Sequence, residues 1–212
     1  MNKFNQLDKK EKTMFIELAG RGAKAASGAI SKIVNSNVEL EIRDISYLEL
    51  DSIGEKILDS ETVVTTLYLK ITGDVAGSIL LIFPNECAHF LVELLSQGKE
   101  KDQNKKSLFS DYERSILKEV SNIISGAFLR SLSDYLDLTL VESIPDMTMD
   151  MMQATVDSVL IDFSRSSQNT ITVNIAIASD EQKITGQFFL LFDSSSADVV
   201  VEALIKKLEK HN

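Results

Sequence analysis

Apolar and polar residues alternate in several segments of the chain, as expected for strands that bury one face. Residues 38–42 show this alternation over a short run. Residues 65–83 and 169–192 extend it over two longer runs, each broken by a group of turn-forming residues. We therefore predict a first strand and two β-hairpins, the first hairpin turning at residues 73–74 and the second near residues 179–182.

Apolar residues with helical spacing mark two long segments and two shorter ones. The long helices are predicted around residues 13–30 and 115–132. The shorter helices directly follow the two hairpins, at residues 85–96 and 194–208. We therefore predict the same element order in both halves: a long helix, a strand, a variable segment, a hairpin and a short helix.

The two halves also repeat particular residues. When the two long helices are aligned, Glu17 falls on Glu119 and Gly20 falls on Asn122. The second strand of each hairpin reads G-x-x-x-x-x-F. We therefore predict an α+β fold in which two pseudo-symmetric repeats share one mostly antiparallel sheet packed against the long helices.

Each half offers few residues for a core of its own, so we predict a single domain over residues 1–212. The two internal repeats cover about residues 10–96 and 111–208. The polar residues 97–110 form the predicted linker between the repeats.

The composition is that of an ordinary globular protein, with 44% hydrophobic and 25% charged residues. A formal net charge of -10 without a basic patch argues against nucleic acid or an anionic membrane as a partner. The single cysteine, Cys87, cannot form an intrachain disulfide, and we assign it and His89 to the core. With no signal-peptide pattern and only short apolar runs, we expect a cytoplasmic protein.

The second long helix carries polar residues opposite its apolar side. A capping box at Ser110 and Glu113 predicts where this helix begins. Ser115, Glu119 and Asn122 then fall within a sector of about 60°, because successive helical residues are about 100° apart. An ordinary solvated helix face also accounts for this spacing, although asparagine is a mediocre helix former. The spacing alone leaves a structural and a functional interpretation open.

Together with the repeats, this motif resembles the CheC family of chemotaxis phosphatases, within the wider group of CheC, CheX and FliY proteins. The family pattern is Asp or Ser, three residues, Glu, two residues and Asn, which Ser115, Glu119 and Asn122 match. Residues 144–163 are similar to a family segment that has a proline, an Asp-Met pair and a following helix. The resemblance covers about residues 13–208.

The resemblance implies a substrate, the phosphorylated form of a CheY-type response regulator, whose aspartyl phosphate is hydrolysed by a positioned water. It implies that Asn122 orients this water, that Glu119 pairs with a lysine of the regulator, and that Ser115 supports the helix or makes a polar contact. It implies no cofactor of the protein's own, because the regulator carries the Mg²⁺.

The first half departs from the family pattern. Its matching positions are Thr13, Glu17 and Gly20, so a glycine stands where the family has the amide. We expect this first site to be degenerate. Glu17 is then either a docking contact or a surface remnant of the repeat.

A methionine-rich segment, residues 147–152, surrounds Asp150 at the Asp-Met pair. Methionines of this kind serve adaptable packing. The resemblance also implies that this region binds the receptor deamidase CheD, with Asp150 in the contact. An alternative function is therefore a non-catalytic adaptor that binds CheD or a flagellar switch component, and a third is a structural paralogue without activity.

Overall fold

A computed structural model of the protein describes residues 7–49, 62–96, 109–164, 169–180 and 183–210. The helices are α1 (Lys9–Val34), α2 (Asn85–Leu95), α3 (Asp111–Leu136), α4 (Met152–Ser164) and α5 (Ser194–Lys210). The strands are β1 (Val38–Glu49), β2 (Val63–Gly73), β3 (Gly77–Pro84), β4 (Leu140–Glu142), β5 (Asp146–Met151), β6 (Asn169–Ser179) and β7 (Thr185–Asp193). These elements confirm the predicted α+β fold, including both hairpins and the long and short helices.

The seven strands form one sheet in which the first strand of each half pairs with the hairpin of the other half. The order is β1-β6-β7-β3-β2-β4, and β5 also pairs with β2. Every pairing among the described strands is antiparallel. The hairpins β2-β3 and β6-β7 meet along β3 and β7, so a pseudo-twofold axis passes between these two strands. The exchange of first strands ties the halves into one sheet.

The two long helices begin and end at equivalent positions, 102 residues apart in number. Each starts with a complete capping box, in which the N-cap side chain and the third helical residue exchange hydrogen bonds with each other's backbone amides. The N-caps are Asp8 and Ser110. Each helix ends at a C-cap residue in the left-handed region, Asn35 with φ 51° and Asp137 with φ 55°. Matching start and stop signals therefore give both helices the same length.

The G-x-x-x-x-x-F motifs meet each other across the pseudo-twofold axis. A Cβ atom on Gly77 would lie 3.0 Å from Cδ1 of Phe192 and 2.4 Å from the Leu191 carbonyl oxygen. A Cβ on Gly186 would lie 2.7 Å from Cδ1 of Phe83. Each glycine thus leaves room for the buried phenylalanine of the other repeat, which explains why both residues occur in both halves.

The main core lies between one face of the sheet and the helices α1, α2, α3 and α5. The long helices α1 and α3 pack against each other closely at Gly22, whose missing side chain admits the ring of Phe128. The edge strand β1 is protected by α1, because the hydroxyls of Ser27 and Ser31 accept hydrogen bonds from the amides of Leu40 and Val38 at 2.8 and 2.9 Å. On the other face, α4 packs against β2 and β5.

Residues 147–151 of the methionine-rich segment form a strand, which the alternation of the sequence did not indicate, and Met152 begins α4. Residues of β4 and β5 together take the place in the second half that β1 takes in the first, but the strand is interrupted near Pro145. A proline cannot donate to a strand ladder, so one long strand becomes two short ones. Most of the predicted linker, residues 97–108, lies outside the described residues. Within the described ranges, no helix is long and apolar enough to cross a membrane.

The two helical glycines of α1 offer a matched test of this packing. Gly28 is exposed, and a Cβ atom added there would have no neighbour within 4 Å, so Gly28→Ala should raise the free energy of unfolding by about 0.5–1 kcal/mol. In Gly22→Ala the new methyl would lie 2.8 Å from the buried Phe128 ring, and we expect destabilisation by roughly 1–3 kcal/mol. Urea denaturation measures both variants, and equal stabilisation of both would contradict the close α1–α3 contact.

Candidate functional site

The polar residues of the α3 motif face away from the core. Ser115 and Glu119 are exposed and Asn122 is partly exposed. The hydroxyl of Ser115 donates a 2.6 Å hydrogen bond to the Tyr112 carbonyl oxygen, so its proton serves the helix and only its oxygen lone pairs face outward. The carboxylate of Glu119 and the amide of Asn122 therefore project from one helix face about a turn apart.

Three features hold α3 so that this face stays outward. The capping box orders the first turn through a 2.7 Å bond from the Ser110 amide to Glu113. The Arg114 guanidinium donates a 3.0 Å bond to the carbonyl oxygen of Met147 and so ties the same turn to β5. The opposite side of the helix is buried in the core through its apolar residues, among them Leu117, Val120, Ile124 and Phe128. Rotation of the helix would expose this apolar side.

Asn122 lies at one end of an open groove between α1 and α3, with a volume of about 600 Å³. Small residues form its floor, including Ala25 and Ala29 of α1 and Gly126 of α3. Charged residues line its far part: Arg130, Asp134 and Glu142. Of the groove residues named here, only Asn122 was singled out from the sequence. The spacing along the helix could have indicated Arg130, because it follows Asn122 by eight residues, or about two turns.

The corresponding position in the first half is open. Glu17 is exposed and Gly20 is partly exposed on α1. A Cβ atom on Gly20 would meet only the Ile42 side chain, at 3.9 Å, which is ordinary contact. The structure therefore leaves room for a side chain where the first half lacks one.

Asp150 lies on β5, away from the groove that contains Asn122. Its exposed side chain accepts a 2.8 Å bond from the amide of Met151. It lines a separate cavity of about 300 Å³ between β2, β5 and α4, together with Lys70 and Asp146. Met147 and Met152 on either side are buried, while Met151 is half exposed. Some of these methionines are thus packed in the interior, and others are exposed at the surface.

Of the remaining candidates, Cys87 lies in the core and His89 is half-buried. Cys87 is buried, and this burial raises its pKa to about 11 although the Thr185 amide donates a 3.4 Å bond to its sulfur. The ring of His89 stacks on Phe109 with centroids 4.3 Å apart. Cys87 therefore fits the core assignment, and His89 packs at its edge against the buried Phe109. Over the described ranges, no three His, Cys, Asp or Glu side chains are grouped to hold a metal ion.

Comparison with known proteins supports the resemblance. The chain is 26% identical over 208 residues to the CheY-P phosphatase CheC of Bacillus subtilis, which covers 96% of this chain and 98% of that protein. It is also 26% identical over 131 residues to CheC1 of Halobacterium salinarum, covering 62% of this chain and 65% of that protein. No protein-family model matches the chain.

Solved structures share the fold at lower identity. FliY of Thermotoga maritima superposes with a TM-score of 0.69 at 15% identity, over 95% of this chain and 98% of that one. FliM in a FliG–FliM complex from H. pylori gives 0.60 at 15% identity, over 92% and 100% of the two chains. CheX of Desulfovibrio desulfuricans gives 0.51 at 18% identity, over 84% and 98%.

The chain therefore has the fold that FliY, FliM and CheX share. The similarity to CheC extends over almost the whole chain. The resemblance to the CheC, CheX and FliY group that the sequence indicated is confirmed.

The raised pKa of Cys87 makes its assignment testable. A pKa near 11 keeps the thiol protonated at pH 8, whereas an unfolded cysteine is partly thiolate at that pH. Because the folded state disfavours the thiolate, the Cys87 thiol should lower the free energy of unfolding only as the pH rises above the pKa of an unfolded cysteine. We expect Ellman's reagent to label native protein slowly at pH 8 and denatured protein quickly. Rapid labelling of the native protein would contradict the buried position.

Proposed function

We propose that the protein is a phosphatase of a phosphorylated CheY-type response regulator and hydrolyses its aspartyl phosphate in chemotaxis signalling. The observation that carries this proposal is the pairing of Glu119 and Asn122 on one accessible face of a rigidly held helix. The similarity to CheC over almost the full length supports it. A cytoplasmic location is part of the proposal.

Hydrolysis of an acyl phosphate needs little covalent chemistry from the catalyst. A water oxygen bonds to phosphorus as the bond from phosphorus to the aspartyl oxygen breaks, and the electron pair of that bond stays on the carboxylate. The products are the free aspartate and inorganic phosphate. Holding the water in line with the leaving oxygen is therefore the main contribution that a second protein can make.

In this proposal Asn122 enters the regulator's active site and orients the attacking water. Its amide oxygen accepts a hydrogen bond from the water, while its NH₂ group can donate to a neighbouring acceptor. Partial exposure suits this role, because the amide is supported by the helix and yet can reach a partner. The glutamine that positions the attacking water in GTPases is a chemical parallel, since it too is a neutral carboxamide.

Glu119 acts as the docking partner of the regulator's lysine in the same proposal. An exposed carboxylate one turn from Asn122 is placed to form a charge-assisted hydrogen bond with that cation and so to set the register of the two proteins. Ser115 supports the helix through its bond to Tyr112. The Mg²⁺ belongs to the regulator, and we assign this protein no cofactor of its own.

A non-catalytic adaptor is the second candidate. The fold is shared with FliM, which has been solved in complex with FliG, so binding of a flagellar switch component fits the same architecture. Binding of CheD around the exposed Asp150 is the other form of this candidate. Purified protein that binds such a partner but leaves the phosphate lifetime of the regulator unchanged would favour the adaptor.

Removal of the Asn122 amide tests the catalytic assignment. We expect Asn122→Ala to slow dephosphorylation roughly tenfold or more, which corresponds to about 1.4 kcal/mol in the barrier. The measurement is the decay of the phosphorylated regulator with and without the variant. Gln153→Ala removes an exposed amide from α4 and serves as the matched control with unchanged turnover. Wild-type turnover by Asn122→Ala would refute the assignment.

The open position at Gly20 permits a gain-of-function test. Because a Cβ there meets only Ile42 at 3.9 Å, Gly20→Asn should fold normally and place an amide next to Glu17. In the wild-type background, a second equal and independent site would raise turnover by about twofold. In the Asn122→Ala background, Gly20→Asn should restore activity. Gly28→Asn, also exposed on α1, is the control. No recovery in the Asn122→Ala background would mean that the first half lacks more than its amide.

A further inference from the structure

We infer that the groove beside Asn122 is the docking surface for the regulator segment next to its acyl phosphate, and that Arg130 pairs there with a carboxylate of that segment. The inference rests on the proposed phosphatase function and assigns the residue that selects the partner. It concerns recognition of the substrate and adds no chemical step.

The first argument is the spacing along α3. Asn122, Gly126 and Arg130 follow each other at intervals of four residues, so they lie along one side of the helix, and all three line the groove. Eight residues of helix separate the amide from the guanidinium by a rise of about 12 Å. Gly126 between them has no side chain, and the Glu142 carboxylate lies over it: a Cβ on Gly126 would stand 2.8 Å from Oε1 of Glu142 and 3.9 Å from a terminal guanidinium nitrogen of Arg130.

The second argument is the chemistry of the groove. Its floor consists largely of methyl groups from Ala25, Ala29 and Ala127, which suit an apolar side chain of a partner. Arg130 is exposed at the far part, and among the described residues it forms no ion pair, although Asp134 and Glu142 line the same groove. The Glu142 carboxylate is near the guanidinium without an ion pair within 4.0 Å, so the exposed donors of Arg130 remain available to a partner carboxylate at the rim of the apolar surface.

The third argument comes from the repeat. At the 102-residue offset that aligns α1 with α3, Asn122 corresponds to Gly20 and Arg130 corresponds to Gly28. The half that lacks the amide therefore also lacks the cation, whereas both halves keep the glutamate. The presence of both groups on one long helix and the absence of both from its counterpart are expected if the two groups act on the same partner.

Charge along this face gives the partner's chemistry. From the N-terminal side, α3 presents an anion at Glu119, the amide at Asn122, a cation at Arg130 and an anion at Asp134, and Glu142 of β4 lines the groove beside Gly126. The complementary surface of the regulator carries a cation, the acyl phosphate and then a carboxylate. This order fixes the direction in which the regulator lies along the groove.

Kinetics of the Arg130 variants test the inference. Exposed charge pairs contribute modestly, so we expect Arg130→Glu, which replaces attraction by repulsion, to raise KM for the phosphorylated regulator by about fivefold with kcat nearly unchanged. Arg130→Lys keeps the charge and should retain most of the affinity. Lys206→Glu on α5 makes the same change in net charge at an exposed position outside the groove and should leave KM unchanged.

A binding measurement separates this inference from the proposed function. Regulator carrying beryllofluoride in place of the phosphoryl group should bind Asn122→Ala nearly as well as wild type, and Arg130→Glu about fivefold more weakly. Ala29→Leu fills the groove from α1 and should also weaken binding, while its thermal unfolding reports whether the fold is retained. Raising the salt concentration should weaken wild-type binding more than Arg130→Glu binding.

Each failure has a distinct meaning. Wild-type KM and binding in Arg130→Glu, or an equal loss in Lys206→Glu, would overturn the docking assignment and leave the phosphatase proposal intact. A fall in kcat alone would also overturn it. Undiminished turnover by Asn122→Ala would instead refute the catalytic role on which the inference rests.

Discussion

The exchange of first strands between the two halves is the constraint on which the rest of the structure depends. Each hairpin completes its sheet edge with a strand from the other repeat, and the two hairpins join along β3 and β7. The join is close because Gly77 and Gly186 leave space for the phenylalanines of the opposite repeat. Neither half can satisfy its strand backbones or bury its apolar face alone, so the halves fold together.

The functional surface follows from this arrangement. Two helices of equal length lie side by side on one face of the shared sheet, and small residues let them approach closely. Their outward sides and the groove between them become one surface, which explains how Asn122 of the second half comes to border Ala25 and Ala29 of the first. The site proposed for catalysis thus includes residues of both repeats even though only one repeat carries the complete motif.

Much of the fold could be predicted because its signals are local. Alternation predicted the hairpins, helical spacing predicted the long helices, and the Ser110–Glu113 capping box predicted the start of α3. The strand β5 could not be predicted in this way, because a short methionine-rich segment lacks a clear alternation and is held as a strand by its pairing with β2. The Arg114 bond to Met147 joins residues far apart in sequence, so no local pattern could predict it.

The sequence by itself determined the repeat, the element order and the single helix face that holds Ser115, Glu119 and Asn122, because helical pitch and turn chemistry act over a few residues. Only the tertiary structure decided which strands are exchanged, that the motif face stays accessible, and that Arg130 lies in the groove that Asn122 borders. These features depend on side chains meeting across the pseudo-twofold axis. Contacts of that kind are set by packing of the whole sheet and helix pair, which no local pattern specifies.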